Sequence, residues 1–260
     1  ETHHCLVPQQ LSPKEWKRIP RAQLAVAKEW DQLDTIRAWD YGSVANLADK
    51  QAEAADSTDT YHFGRVFPLC HKKHSEMESK YHEYKGRCVF GGNDIRDENG
   101  VLAVFQEQGA SASSMVAAKL LDALARTPGY TGENADAYKA YTQCFLADFE
   151  GSTQTWVELP QERWPNDWFW DGAARQRPKY VRPVVRLLRN LYGHPLAGLW
   201  WEKHCARQIL AIGFTKVQGW ECLFVHKAKQ LFLSVYVDDF KMAGNADNLG
   251  PMWETLRSKL

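Results

Sequence analysis

The sequence L-F-L-S-V-Y-V-D-D-F-K-M, residues 231–242, is an apolar run that two adjacent aspartates interrupt. Phe232 and Val235 favour a strand, whereas Asp238 and Asp239 do not. Two carboxylates side by side in a buried hairpin repel each other, and desolvation adds to the free-energy cost of their charges. A divalent cation such as Mg²⁺, which prefers carboxylate oxygens, would offset both effects. The pattern therefore predicts two strands joined by a tight turn, with a metal site at that turn.

The composition sets limits on the class of protein. The 260 residues carry no formal net charge, so any basic surface for nucleic acid must be local. The six cysteines are scattered without a C-x-x-C pair, which predicts reduced thiols in an intracellular protein rather than a zinc knuckle or disulfide framework. The sequence contains no secretory segment and no apolar run of about 18 residues, so we expect no membrane association. The chain does not begin with Met, and we expect it to be a segment of a longer polypeptide.

Helical and extended patterns alternate along the rest of the chain. Helices are predicted at residues 23–39, 111–127, 182–190, 198–212 and 249–260. Strands are predicted at residues 61–69, 84–90, around 135, 154–159, 222–226, 231–237 and 240–243. Loops are predicted at 42–61, where a frayed helix is the alternative, and at 161–179. Helices mixed with antiparallel hairpins predict an α+β fold.

The predicted helix at 111–127 is amphipathic. Ser111 or Ser113 is the expected N-terminal cap. The predicted apolar face contains Met115, Val116, Leu120, Leu121 and Leu124. We expect that face to pack in the core.

A third aspartate, Asp136, follows the short predicted strand near residue 135. If that strand lies beside the Asp238–Asp239 hairpin, three carboxylates converge. Two metal ions about 3.5–4 Å apart between such carboxylates stabilise the attacking and the leaving oxygen in phosphoryl transfer. Polymerases and nucleases share this arrangement, and the spacing alone does not separate them. Lys85 and Arg87 on a predicted strand could bind phosphates or form a solvated charged hairpin.

Five short segments, in order along the chain, carry a resemblance to a known family. Tyr236-Val237-Asp238-Asp239 resembles the Y-V-D-D box of reverse transcriptases. Four other segments resemble boxes of copia-type enzymes: Y-K-G-R-C-V at 84–89, D-A-Y-K-A-Y at 136–141, W-V-E-L-P at 156–160 and L-R-N-L-Y-G at 188–193. Residues 22–260 are thus similar to the reverse transcriptase domain of the Pol polyprotein of copia-type (Pseudoviridae) LTR retrotransposons. One departure is H-P-L-A-G at 194–198, where the family has L-K-Q-A-P.

The resemblance implies a right-hand polymerase fold. Residues 1–60 would form an N-terminal tail and a leading helix, and 61–128 the fingers. Residues 129–244 would form the palm, whose antiparallel sheet packs on helices and carries the catalytic aspartates. Residues 245–260 would begin a thumb that is otherwise mostly absent.

The resemblance also implies an activity and its catalytic groups. The activity would be RNA-directed DNA synthesis, in which a primer 3′-hydroxyl attacks a deoxynucleoside triphosphate. Asp136, Asp238 and Asp239 would be catalytic and, with Ala137, would hold two Mg²⁺ ions, with Mn²⁺ as a substitute. Asp238 is expected to be the stronger ligand and Asp239 the weaker one.

Further roles follow from the same resemblance. The nucleotide-binding residues would be Lys85, Arg87, Ala137, Tyr141, Tyr192 and Gly193. The Ala137 amide would face the triphosphate, and the Tyr141 ring would exclude a 2′-hydroxyl. Tyr236 and Val237 would lie at the primer terminus. Partners would be an RNA or DNA template with its primer, the dNTP, and the integrase and ribonuclease H parts of the polyprotein, in a cytoplasmic virus-like particle.

Two alternatives stay open. The chain could be an inactive retrotransposon remnant that only folds or binds nucleic acid. It could also be a two-metal nuclease, although a nuclease does not explain the segments that contain Lys85 with Arg87 and Tyr192 with Gly193.

Overall fold

A computed structural model describes residues 8–105, 112–149, 151 and 153–260. The helices in this part of the chain are α1 Pro13–Trp16, α2 Pro20–Thr35, α3 Leu47–Ala55, α4 Met115–Leu124, α5 Ala197–Ala211 and α6 Ala246–Arg257. The strands are β1 Gln9–Leu11, β2 Trp39–Asn46, β3 Thr60–Lys73, β4 Glu83–Phe90, β5 Tyr130–Asp136, β6 Thr153–Glu158, β7 Pro183–Leu187, β8 Thr215–Lys216, β9 Leu223–His226, β10 Leu231–Tyr236 and β11 Asp239–Asn245. Short 3₁₀ turns lie between several of them.

The chain divides into two compact units, each built from two separate segments. The first unit contains Glu1–Val104 and Leu146–His194, and the second contains Phe105–Phe145 and Pro195–Leu260. The boundaries expected at residues 60, 128 and 244 do not coincide with these units. The difference arises because β6 pairs with β3 and β7 pairs with β2, and local sequence patterns do not reveal such distant pairings.

The first unit is built on a six-stranded sheet. The strand order is β1-β3-β6-β7-β2, with β4 paired to β3. The β3–β6 pair is parallel and the other pairs are antiparallel. Helix α2 packs on β4. A Cβ atom on Gly86 would lie 2.5 Å from the Ala25 carbonyl oxygen, so glycine permits this close packing of helix on strand.

The second unit is built on a five-stranded antiparallel sheet. The strand order is β5-β11-β10-β9-β8. On one face, Ala117 and Leu121 of α4 pack with Ala243 of β11. Helix α6 packs against β5 and β11, where Trp253 and Phe240 line a common small cavity. Since alternate residues of a strand point to opposite faces, α4 and α6 cover opposite faces of this sheet.

The predicted α+β class is confirmed, because helices combine with largely antiparallel sheets. The strands predicted at 84–90, 154–159 and 231–237 correspond to β4, β6 and β10. The helices predicted at 198–212 and 249–260 correspond to α5 and α6. Within the described residues, no helix is both long and apolar enough to span a membrane.

The helix predicted at 182–190 is wrong, since these residues contain strand β7. Val184, Val185 and Leu187 are fully buried in β7. Periodicity cannot distinguish a short apolar run of this kind from a buried helix, and the β-branched valines decide for a strand. Pro183 is the first residue of the strand, a position that tolerates proline.

The helix predicted at 23–39 was placed too far along the chain. Helix α2 ends at Thr35, and Trp39 begins strand β2. The loop or frayed helix predicted at 42–61 contains most of β2, all of α3 and the start of β3. Each difference arises from contacts with distant strands, such as the pairing of Trp39 with Leu187.

The predicted apolar face of the helix at 111–127 is also partly wrong. Helix α4 begins later, and its cap is Ser114, whose hydroxyl accepts a hydrogen bond from the Ala117 amide. Ser111 lies outside the described residues. Met115, Val116 and Leu120 are exposed, whereas Leu121 is buried. The buried side chain that completes the helix face is the small Ala117, which a search for large apolar residues overlooks.

Candidate active site

The candidate site begins with the hairpin of β10 and β11. Tyr236 pairs with Asp239, and Val237 and Asp238 form the loop between them. Val237 has φ +56°, which is unusual for a β-branched residue because its Cβ substituents crowd the backbone. Two-residue hairpin loops normally place glycine or asparagine at such a position. A strained residue of this kind costs about 1–3 kcal/mol and persists only where its surroundings hold it.

Groups outside the hairpin hold both carbonyls of this loop. The Trp201 indole nitrogen of α5 donates a hydrogen bond of 2.6 Å to the Val237 carbonyl oxygen. The Ala137 amide donates a hydrogen bond of 2.7 Å to the Asp238 carbonyl oxygen. Trp201 is fully buried, and a hydrogen bond in such surroundings is stronger than one in water. The strained loop therefore has two fixed anchors.

The neighbouring strand brings the third aspartate to the hairpin. Strands β5 and β11 are antiparallel, and Asp136 lies directly opposite Asp239. Cβ atoms of such opposed residues are about 4.5–5.5 Å apart. Desolvation raises the pKa of Asp239, and the charges of Asp238 and Asp136 and a hydrogen bond with Asp136 raise it further. The three aspartates thus lie close enough for their charges to interact.

The two adjacent aspartates differ in their position relative to Asp136, and their ranking as metal ligands stays a prediction. Asp238 was expected to be the stronger metal ligand, whereas Asp239 is the residue whose pKa is raised with a contribution from Asp136. The reason is strand register. Asp239 is the first residue of β11 and faces Asp136 across the ladder, whereas Asp238 lies in the loop.

Asp136 and Asp239 line a cleft of about 480 Å³ beside the N-terminus of α4. Tyr236, Asp239 and Asp136 are in register across three strands. Lys241, two residues along β11, also lines the cleft. Its ammonium group forms a 2.7 Å ion pair with Asp122 of α4. Among the described residues no cation forms an ion pair with the three aspartates, so their mutual repulsion, which helps to raise the pKa of Asp239, is not offset by such a pair.

The donor atoms of these three aspartates fit a hard divalent cation. Three carboxylates offer oxygen ligands, which Mg²⁺ and Mn²⁺ prefer. In the described part of the chain, no three His, Cys, Asp or Glu side chains already surround a metal position. The charges of Asp238 and Asp136 help to raise the pKa of Asp239, and a cation between these carboxylates would offset that repulsion. Asp136, Asp238 and Asp239 are the residues that could hold the ion.

Three other predicted site residues lie in the same unit. The Ala137 amide was expected to face a triphosphate, but it donates to Asp238 and is part of the loop anchor. In this structure the amide therefore positions the loop, and its contact with a triphosphate stays a prediction. Tyr141 lies in the 3₁₀ turn Ala140–Gln143 and is half-buried. Tyr236 is exposed, with 56% of its surface accessible in the cleft.

The remaining predicted nucleotide-binding residues belong to the first unit, and three of them pack together. The Arg87 guanidinium lies 5.1 Å from the centre of the Tyr192 ring. The Phe90 amide donates a 2.8 Å hydrogen bond to the Tyr192 carbonyl oxygen. Gly193 has φ +91°, and a Cβ there would lie 2.2 Å from the Phe90 carbonyl oxygen. Lys85 is exposed and is two residues from Arg87, so both side chains point to one face of β4.

The sequence analysis missed Trp201 as part of the site. Its apolar helical surroundings favoured ordinary core packing. One available signal was chemical, since a buried tryptophan needs an acceptor for its indole N–H. The sequence could not reveal that this acceptor is the Val237 carbonyl, because 36 residues separate the two positions.

Comparison with known proteins gives this chain no assignment. No protein-family model matches it. No curated protein sequence matches it either. The geometry of the aspartates and the sequence boxes around them are therefore the basis for a functional proposal.

Proposed function

We propose that the chain is the fingers and palm of an RNA-directed DNA polymerase of copia type. The observation that carries the proposal is the pairing of Asp136 with Asp239, beside Asp238 in a strained and anchored loop. Uncompensated carboxylates in a cleft are expected where a protein binds cations and phosphates. The five sequence boxes point in the same direction, since the aspartates stand in two of them.

The chain's own residues would bind and orient the reactants. Asp136, Asp238 and Asp239 would hold Mg²⁺, which when bound lowers the pKa of the primer 3′-hydroxyl and neutralises triphosphate charge. The exposed Tyr236 ring would contact the primer terminus. The anchored loop would keep the carboxylates in place, so that little reorganisation is needed when charge develops during the reaction.

The resemblance assigns nucleotide contacts to Lys85, Arg87, Tyr192 and Gly193, which belong to the first unit. The Arg87 side chain stacked on Tyr192 offers a cation whose position the ring restricts. Lys85 on the same face of β4 adds a second cation. Template and primer, the dNTP and the rest of the Pol polyprotein, with its integrase and ribonuclease H, would be the partners. The protein would be located in a cytoplasmic virus-like particle.

A second candidate is an inactive remnant that folds and binds nucleic acid. Desolvation and the charges of Asp238 and Asp136 raise the pKa of Asp239, so the three carboxylates repel one another unless a cation binds. The polymerase proposal expects Mg²⁺ to bind at these carboxylates. The remnant proposal expects no Mg²⁺ binding there.

Primer extension on a poly(rA) template with dTTP and Mg²⁺ or Mn²⁺ tests the two candidates. We expect the wild-type chain and Asp247→Asn to extend the primer, because Asp247 is an exposed residue of α6. We expect Asp136→Asn to lose at least 100-fold in rate, a change of about 3 kcal/mol in the activation barrier. Duplex binding without extension by the wild type would favour the remnant, and degradation of the template would favour a two-metal nuclease.

A further inference from the structure

The loop that carries the aspartates cannot be held by its own sequence. Val237 adopts φ +56°, and an isolated loop with valine there would relax to negative φ. Such a relaxation would rotate the peptide that follows and would turn Asp238 and Asp239 away from Asp136. Some contact outside the loop must therefore select the observed conformation.

Trp201 makes such a contact. Its indole nitrogen donates to the Val237 carbonyl oxygen at 2.6 Å. Val237 lies in the loop beyond Tyr236–Asp239, the last residue pair of the hairpin ladder. Its ring is fully buried and stacks with His204 one helical turn further along α5, at 5.9 Å and 27°. A tryptophan side chain has a single donor and no acceptor, so the bond to the Val237 carbonyl oxygen uses its whole hydrogen-bonding capacity.

We infer that Trp201 is a positioning residue, whose hydrogen bond to Val237 holds the loop in the conformation that lets the aspartates bind a divalent cation. The inference rests on the proposed function, since it names what arranges the metal site. Trp201 does not touch substrate or metal. It acts through the backbone of Val237. If the loop did not need this hydrogen bond, Trp201→Phe would leave cation binding unchanged.

A matched control exists in the same unit. Trp253 of α6 is also buried, with 3% of its surface accessible. Among the described residues, its indole nitrogen has no hydrogen-bond partner. Trp253 lines a small cavity with Asp136 and Ala137, so Trp253→Phe removes the same atoms as Trp201→Phe and controls for changed packing beside the site. Only Trp201→Phe removes a donor to the loop.

The first experiment measures Mn²⁺ affinity of the full chain by electron paramagnetic resonance, together with primer extension. We expect Trp201→Phe to weaken Mn²⁺ binding about tenfold, the order expected for one lost buried hydrogen bond. We expect it to lower kcat with little change in the KM for dTTP. Trp253→Phe should leave both quantities near their wild-type values.

A rescue variant separates positioning from packing. Glycine adopts positive φ without strain, so Val237→Gly lets the loop keep its conformation without an anchor. We expect Val237→Gly in the Trp201→Phe background to recover most of the lost Mn²⁺ affinity. Equal Mn²⁺ affinity in the two Phe variants would overturn the inference. A loss in Trp201→Phe that Val237→Gly does not restore would also overturn it, because lost packing would then be the cause.

A measurement on the wild-type chain covers the case in which Trp201→Phe does not fold. Because coupling between two sites is reciprocal, Mg²⁺ should slow hydrogen exchange at the Trp201 indole N–H and leave that of Trp253 unchanged. Equal effects at the two indoles would overturn the inference. If the wild type binds Mn²⁺ but extends no primer, the polymerase proposal fails and the positioning role stands. If the wild type binds no Mn²⁺, both proposals fail.

Discussion

The negative charge on Asp239 opposes folding, and this predicts how the stability of the chain changes with pH. Its pKa in the folded chain is raised above the ordinary value of 3.8 by desolvation, by Asp238 and by Asp136. The folded state therefore binds its proton more tightly than the unfolded state. The free energy of unfolding must then fall as the pH rises from the ordinary pKa of 3.8 through the raised pKa of the folded chain.

Asp239→Asn removes this penalty. We expect the variant to have a higher Tm than the wild type at pH 7 and a flatter dependence of Tm on pH between 4 and 7. We also expect Mg²⁺ to raise the Tm of the wild type and not that of the variant, because the ligand binds only the intact site. Thermal unfolding followed by circular dichroism, with Asp247→Asn as the control, measures both. A Tm lower than that of the wild type would contradict the repulsion.

A buried histidine gives a pH dependence of the opposite sign. Burial, with a smaller contribution from His62, lowers the pKa of His194 from 6.5 to about 3. Its ring lies 5.0 Å from that of Phe90. Between these two pKa values the unfolded state binds a proton that the folded state does not. The stability that His194 contributes is complete above pH 6.5 and is lost as the pH falls, by at most about 1.4 kcal/mol per pH unit.

His194→Gln tests this acid sensitivity. Glutamine stays neutral across the range, so the variant should lose less stability than the wild type between pH 6.5 and 4. Urea unfolding at a series of pH values gives the two slopes. Parallel slopes would show that His194 does not titrate differently in the folded and unfolded chains.

At the scale of elements, α4 shows how a helix pattern can be right and its buried face wrong. The apolar residues at 115–124 predicted a helix, and a helix is present. The pattern could not choose among its leucines, because the sheet contacts only the stripe that contains Ala117 and Leu121. Apolar residues occur around most of this helix, so their periodicity alone does not show which face is buried.

Two leucine substitutions on α4 test which of its leucines is buried against the sheet. Leu121 is 3% exposed and Leu120 is 52% exposed. We expect Leu121→Ala to lower the free energy of unfolding by about 2–5 kcal/mol, because it leaves a cavity against the sheet. Leu120→Ala should change it by less than about 0.5 kcal/mol. Equal losses in denaturant unfolding would mean that both leucines are covered.

The hairpin was predictable because its information is local. Strand-forming residues flank two aspartates, and the loop joins neighbouring strands. Strand β7 was not predictable in the same way, since its apolar run suits a buried helix as well as a buried strand. Its identity is decided by pairing with β2 and β6. The meeting of Asp136 with the hairpin was expected, whereas its exact opposition to Asp239 depends on a register that no local pattern contains.

At the scale of the whole molecule, the order of segments along the chain hides the division into units. Strand β6 follows β5 in sequence but joins the first sheet, whereas β5 joins the second. A division of the sequence into consecutive domains therefore could not reproduce the two units. Long-range pairing has to form before either sheet is complete, and such pairings cost more loop entropy than local hairpins.

The two units predict two separate patterns of local stability. Leu233 is fully buried in the second unit and Val185 is fully buried in the first. Since contacts are dense within each unit, a cavity should lower protection against hydrogen exchange mainly in the unit that contains it. We expect Leu233→Ala to speed amide exchange in β5, β10 and β11 more than in β3, β6 and β7. Val185→Ala should give the reverse pattern. Exchange measured by mass spectrometry on both variants tests the pair, and a uniform increase across all six strands in both would mean that the chain opens as one cooperative unit.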